Sequence, residues 1–432
     1  MLLIFLLINI LYLMLSFRMY RKYLNPISIY SLVWASVVFL YELKLVYYFD
    51  LTIYTWFIII IFQFVYNFGC IVGKTLLVKK RTIGAPFNTL PNLERDLMRA
   101  MIILTSIASI GIISNVIIGI KQYGFNLLKF TNQLYAARLS GDIDSGIPYL
   151  SSFIFPALIL EGYYISKFKF KKVLIVPVLL LMFNALKSGG RLDIIQGLFF
   201  IIVPIFLNKV KKDKRKATKL TKKNKFWTAI TIAVFVVIFA IITVNRSSWI
   251  VINSYMSPLM IKLVEIEPAI YKTYVYLTTP IGVLNEFLKD PTFNFGGHTF
   301  LTLYNFLNKF GFEIPTSQYQ HFYQVPITSN VGSYIRELIE DFGVPLAILV
   351  TFFTGFIYSY SYRMYLLNQS FMSLIWTTAY SFIIIFSFFT WQFRMSTTWI
   401  LLLVGTVVAF IIDRKQYRRR WHYEYNDNIE LQ

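Results

Sequence analysis

Residues 172–207 read KVLIVPVLLLMFNALKSGGRLDIIQGLFFIIVPIFL, two apolar runs of about sixteen residues on either side of a short polar turn. The turn, Lys187-Ser-Gly-Gly-Arg191-Leu-Asp193, places charge where the surrounding composition makes charge expensive. Each run falls short of the ~20 residues that usually cross a bilayer. They read as a tight pair of tilted helices or a re-entrant hairpin. In either case Arg191 faces outward or into a wet cavity, because lipid tolerates neither bare guanidinium nor open backbone.

Runs of this kind recur along the whole chain. It is 57% hydrophobic and 15% charged over 432 residues, whereas a soluble domain carries about 25% charged residues. Mean hydropathy is +0.59. Candidate spans fall near 2–17, 27–42, 52–73, 100–120, 148–166, 172–187, 192–207, 226–244, 344–361, 371–390 and 397–412. The first lacks the basic flank and small-residue cleavage site of a signal peptide and reads as a span. The expected fold is therefore all-α: one polytopic membrane domain over 1–432 with about 11 transmembrane helices.

A net charge of +21 on a soluble protein would suggest nucleic acid, and here its distribution excludes that partner. With the amino terminus outside and the carboxyl terminus cytoplasmic, alternate loops hold 29 of the 42 basic residues against seven acids. The loops on the other side hold basic and acidic residues in near balance. That asymmetry is the positive-inside pattern of a multi-pass protein in the cytoplasmic membrane, with anionic lipid as its electrostatic partner. The basic loop 208–225 and the tail 413–432 are cytoplasmic on this reading. Cys70 is the single cysteine, so neither an internal disulfide nor a cysteine metal cluster is available. No internal repeat is visible, which argues against repeat-built transporters.

Apart from one segment the loops are short. The exception is the external loop 245–341, rich in aromatics, whose runs 258–270 and 275–288 are broken by Pro258, Pro268 and Pro280. These read as helices lying at the outer interface. Asn294-Phe-Gly-Gly-His298-Thr reads as a turn. The loop ends in Ser329-Asn-Val-Gly-Ser-Tyr-Ile-Arg336-Glu337-Leu-Ile-Glu340-Asp341-Phe-Gly343, a helix capped by Ser329 or Asn330 and stopped at Gly343. Arg336 and Glu340 have the spacing of a simple ion pair. Glu337 and Asp341 share a face, and a like-charge pair can lift one carboxyl into the range of a general base for a sugar hydroxyl. The competing reading is a solvated helix face.

Five external arginines lie at apolar boundaries: Arg138, Arg191, Arg246, Arg336 and Arg394. A planar guanidinium that stays charged suits a phosphate or pyrophosphate ligand, and the alternative is snorkelling to headgroups. His298 is a candidate base or donor, while His321 has no supporting neighbours. Asp142 and Asp144 have the spacing of a metal-nucleotide pair and read more simply as a turn, so no metal or cofactor is expected.

This layout resembles the Wzy-type oligosaccharide repeat-unit polymerases. The resemblance rests on Ser188-Gly-Gly-Arg191, on the segment running from Asn330 through Arg336 to Asp341-Phe-Gly343, and on Arg138. Arg138 is followed by Gly141 and Gly146, which departs from the arginine-glycine spacing of some members. The resemblance implies transfer of a growing chain from undecaprenyl pyrophosphate to a new lipid-linked repeat unit on the outer face. It implies Arg191 and Arg336 on pyrophosphate, and Glu337 or Asp341 as base or acceptor anchor. Arg138, His298, Arg394 and Arg246 would contact substrate. A chain-length regulator and a flippase would be partners. A ligase of similar layout and a lipid-linked oligosaccharide flippase are the competing classes.

Overall fold

The computed structural model describes residues 1–76, 92–124, 147, 149–188, 191–210, 254–316 and 320–430. Among the described residues the chain is mostly helical, with one two-stranded hairpin. Among these residues five helices are long and apolar enough to cross a membrane: Leu2–Tyr20 (α1), Ile53–Thr75 (α3), Leu93–Gln122 within α4 (Leu93–Tyr123), Tyr334–Asn368 (α11) and Ser396–Arg418 within α13 (Ser396–Glu430). Shorter apolar helices are Pro26–Glu42 (α2), Ile175–Ser188 (α6), Arg191–Val210 (α7) and Phe371–Ile385 (α12). Ile154–Lys167 (α5) follows a 3-10 turn, and the large loop contributes Pro258–Ile266 (α8), Ala269–Phe287 (α9) and Leu301–Asn308 (α10). Tyr323–Gln324 (β1) pairs antiparallel with Thr328–Ser329 (β2). The expected span at 226–244 and most of the basic loop 208–225 lie outside the described residues.

The helices start where local chemistry tells them to. Asn25 and Ser28 form a capping box around Pro26 at the head of α2. Thr52 accepts from the Thr55 amide to open α3, and Ser257 accepts from Met260 N ahead of Pro258 to open α8. One expectation changes. The helix read as capped by Ser329 or Asn330 begins only at Tyr334, because Thr328 and Ser329 are taken up in the hairpin. The tail from residue 413 continues α13 as helix to Glu430.

The chain divides into two compact units. No linker composition marks the division, since the units interleave along the chain: residues 1–78, 249–363 and 380–399 against 79–248, 364–379 and 400–432. In the first unit, α3 and α11 approach backbone to backbone. A Cβ on Gly355 would run into the Tyr66 carbonyl oxygen, and one on Gly69 into that of Phe352. Helix α9 lies along α2, with Tyr274 Oη donating to Leu40 O at 2.7 Å, and its Asn285 Oδ1 accepts from Thr52 N at the head of α3 at 2.9 Å. In the second unit, α5 packs on α7 at Gly162, where a Cβ would meet the Ile201 carbonyl. The Asp413 carboxylate accepts from Phe371 N and Met372 N at 2.9 and 3.1 Å, capping α12.

Helix α11 is the element that positions the site. Its first helical segment stops at Gly343 as expected, and a kink there, with φ 68° and ψ 168°, joins it to the next segment. A positive φ is cheap only for glycine, and Pro345 just beyond cannot donate back across the break. From Val344 to Tyr362 no residue is charged, so the part of α11 with the composition of a span starts at the kink. The nine residues before it form a separate short helix ahead of that run.

Candidate functional site

Every charged side chain of that short helix is buried. Arg336 and Glu337 are 0% exposed, Asp341 1% and Glu340 7%. The solvated-face reading therefore fails: Ile335, Leu338 and Ile339 are buried on one side and the charges on the other. Buried charge persists only where it is paired and hydrogen-bonded, and the first unit supplies the partners.

The two carboxylates four residues apart are each saturated by different loops. Asp341 Oδ1 accepts from His298 N at 2.8 Å, and Oδ2 accepts from Thr299 N and Thr299 Oγ1, both at 2.6 Å. Glu337 accepts from Thr390 Oγ1 at 2.8 Å, from Trp391 N at 3.1 Å and from the Gln320 amide. Trp391 Nε1 donates to Thr299 Oγ1 at 3.1 Å, which joins the two clusters. Burial pushes both carboxyls up, against the opposing pull of the His298 charge. Mutual repulsion, expected from the spacing, is not the cause. With their oxygens occupied by donors, Glu337 and Asp341 act as latches that hold the 294–299 turn and the 390–394 segment onto the helix.

The unsaturated chemistry lies between them. His298 Nε2 is 3.1 Å from Glu340 Oε2, at ion-pair distance without hydrogen-bond alignment, and its Nδ1 has no partner. Burial opposes an imidazolium here, but Glu340, Glu337 and Asp341 outweigh it and hold His298 above its ordinary value. Burial likewise opposes charge on Glu340, and the His298 and Arg336 interactions prevail, holding it low. Arg336 NH2 also approaches Glu340 Oε2, at 3.4 Å.

Arg336 is wrapped. Its guanidinium lies over the Tyr323 ring at 5.0 Å and the Phe287 ring at 5.7 Å, a cation–π arrangement. NH1 donates to Asn330 O at 3.1 Å and NH2 weakly to His321 O at 3.4 Å, while Nε has no partner. The strap from Gln320 to Asn330 thus covers the cation with neutral acceptors and an aromatic face. Gly332 leaves room for the stem, since a Cβ there would collide with Arg336 Cδ. Arg394 sits in the 3-10 turn Gln392–Arg394, buried, and its charge favours ionised Glu337.

Of the expected site residues, the structure brings together Arg336, Glu337, Asp341, His298 and Arg394. Arg191 opens α7 in the other unit, and its side chain lies outside the described residues, as do Arg138, Arg246, Asp142 and Asp144. His321 is exposed; its carbonyl accepts from Arg336, and its ring packs edge-on against Tyr323 at 5.0 Å. Glu340 was legible as an ion pair with Arg336 but not as the partner of His298. Gln320, Thr299, Thr390 and Trp391 were missed as members. Thr299 and Trp391 do adjoin quoted candidates, in Gly-His298-Thr299 and Trp391-Gln-Phe-Arg394.

Comparison with known proteins adds no assignment: no family model matches the chain, and neither a curated protein nor a solved structure matches it.

Proposed function

We propose that the chain is a membrane glycosyltransferase that polymerises lipid pyrophosphate-linked oligosaccharide repeat units at the outer face of the cytoplasmic membrane. It would have about eleven spans, its amino terminus outside and its large loop external. The observation that carries the reading is the pairing of a wrapped, fully buried Arg336 with the His298–Glu340 pair, just outside the start of an apolar span. A lipid pyrophosphate presents its charge at that depth, and a sugar hydroxyl needs a base beside it.

In the proposed reaction the acceptor hydroxyl oxygen bonds to the anomeric carbon of the growing chain. The bond from that carbon to the pyrophosphate oxygen breaks, and its electron pair leaves with the lipid pyrophosphate. The hydroxyl proton passes to His298 Nδ1, the atom without a partner, while Glu340 faces Nε2 and stabilises the imidazolium. The leaving oxyanion takes the place of the His321 and Asn330 carbonyls on Arg336, with Arg394 nearby. Glu337 and Asp341, first choices for the base on spacing alone, serve instead as positioning residues. Arg191, Arg138 and Arg246 enter the proposal on sequence grounds alone. The scheme requires no metal or cofactor, and a chain-length regulator and a flippase would be its partners.

Lipid-linked glycans from a strain deleted for the chain test the reading. Accumulation of single repeat units on the outer face is the expected outcome. Long polymer left on lipid would assign a ligase, and precursor trapped on the cytoplasmic face a flippase.

A further inference from the structure

A second feature of the large loop is not absorbed by this chemistry. Phe293, Phe295, Leu303, Phe306, Phe310 and Phe312 are between 47% and 77% exposed, all within twenty residues. Single exposed apolar side chains are ordinary, but six within twenty residues mark an interaction surface. We propose that residues 293–312 form an aromatic wedge seated in the lipid of the adjoining bilayer leaflet. The proposal does not depend on the enzymatic reading.

The level of the segment argues for lipid as the occupant. Asn294 N donates to Glu340 O at 2.7 Å and Gly296 N to Asp341 O at 3.0 Å, two to three residues before the Gly343 kink. The Phe300 ring, just ahead of α10, rests on Phe342 at 6.1 Å and on Trp399 at 6.4 Å. Phe342 immediately precedes the kink, and Trp399 lies in the first turn of α13. Two separate apolar helices therefore begin against the root of this segment, which fixes it at the boundary between hydrocarbon and water.

The segment is also built to hold its shape. Phe293 and Phe295 pack ring against ring at 4.3 Å, and Tyr304 Oη donates to Phe295 O at 2.9 Å. Beyond α10, Asn308 Nδ2 donates to Ile314 O and Ile314 N donates to Asn308 Oδ1, each at 2.9 Å. Those two bonds close a tight loop whose tip is Phe310-Gly311-Phe312, with Gly311 at φ +90°. A preorganised tip loses little conformational freedom on insertion. The exposed members are phenylalanine and leucine, with no hydroxyl or indole N–H to offer a sugar, so hydrocarbon suits them better than glycan.

Fluorescence at the tip tests this. Cys70 is buried and is the only native cysteine, so Phe310→Cys and Phe312→Cys can be labelled singly with an environment-sensitive dye. Asp290→Cys, at an exposed polar position of the same loop, is the control. The full chain is reconstituted in phosphatidylcholine–phosphatidylglycerol vesicles, with and without lipids brominated near the top of the acyl chain. Labels at 310 and 312 are expected to emit at shorter wavelength than the label at 290, to lose emission to brominated lipid and to be shielded from aqueous iodide. Quenching at 310 and 312 by iodide rather than by brominated lipid would overturn the proposal. Since neither quencher reads catalysis, a failed wedge and a failed polymerase reading are separable.

Discussion

The two halves of α11 hold their places by opposite means. Before the Gly343 kink, Arg336, Glu337, Glu340 and Asp341 are buried and tied by directional polar contacts to loops up to 54 residues away. After it, the uncharged run to Tyr362 is held by close backbone approach, Gly355 against Tyr66 and Phe352 against Gly69. One half gains specificity from bonds that lose most of their strength when a partner is removed. The other gains stability from close packing, which tolerates added volume poorly. Breaking one half should therefore harm chemistry, and breaking the other should harm folding.

The largest expected effect lies in the polar half. If Arg336 clamps the leaving pyrophosphate, Arg336→Ala removes a stabilising cation worth about 3–4 kcal/mol at the transition state, two to three orders of magnitude in rate. Polymer should fall by that factor in a cell-free assay while the amount of protein in the membrane is maintained. Normal polymer from Arg336→Ala would break the comparison at its root. Arg336→Lys sharpens it, because lysine keeps the charge but loses the planar fork and should restore only part of the rate.

In the apolar half, Gly355→Leu should do the reverse. The new side chain meets the Tyr66 carbonyl, forcing α3 and α11 apart at a cost of about 1–3 kcal/mol, in line with overpacked cores. The thermal midpoint in detergent should drop, and activity per folded molecule should stay near normal. A variant that folds normally but has lost turnover would mean that the two halves are not separable.

Asp341→Asn has a more local effect. Three donors converge on Asp341, and an amide nitrogen in place of one oxygen turns an acceptor toward a donor. The cost is about 1–3 kcal/mol. Hydrogen exchange should accelerate at the His298 and Thr299 amides and remain unchanged in the 344–362 run. Unchanged exchange at those amides would contradict the latch role.

How far all this could be read from the sequence follows the same division. The apolar half needed only composition and length, since hydrophobic runs declare themselves locally. So did the membrane character of α1, α3, α4 and α13. In the polar half the spacing Arg336–Glu340 gave the one pair that lies within a single helical turn. The partners of Glu337 and Asp341 come from residues 298–299, 320 and 390–391, and no local pattern encodes those pairings. That is why two saturated carboxylates looked like free bases, and why His298, judged on its glycine neighbours alone, ranked below them. The interleaving of two compact units was invisible for the same reason.

The smallest effect, and the finest test of the polar half, is the pH dependence of His298. Its value is held above the ordinary imidazole range by Glu340, Glu337 and Asp341, in spite of burial. A group raised on folding contributes stability that is complete below its unfolded value near 6.5 and is lost as pH rises through its folded value. A general base works the other way, being active only when neutral, so turnover should rise over the same pH interval. Stability and rate are therefore expected to titrate in opposite directions across one window above pH 6.5, with both limbs abolished in His298→Gln. Glu340→Gln removes the carboxylate that raises His298 most, so the rate limb should move to lower pH. If the rate limb persisted in His298→Gln, the base would be another group. If the two limbs ran in the same direction, His298 would belong to the scaffold, and the polar half would be a set of latches.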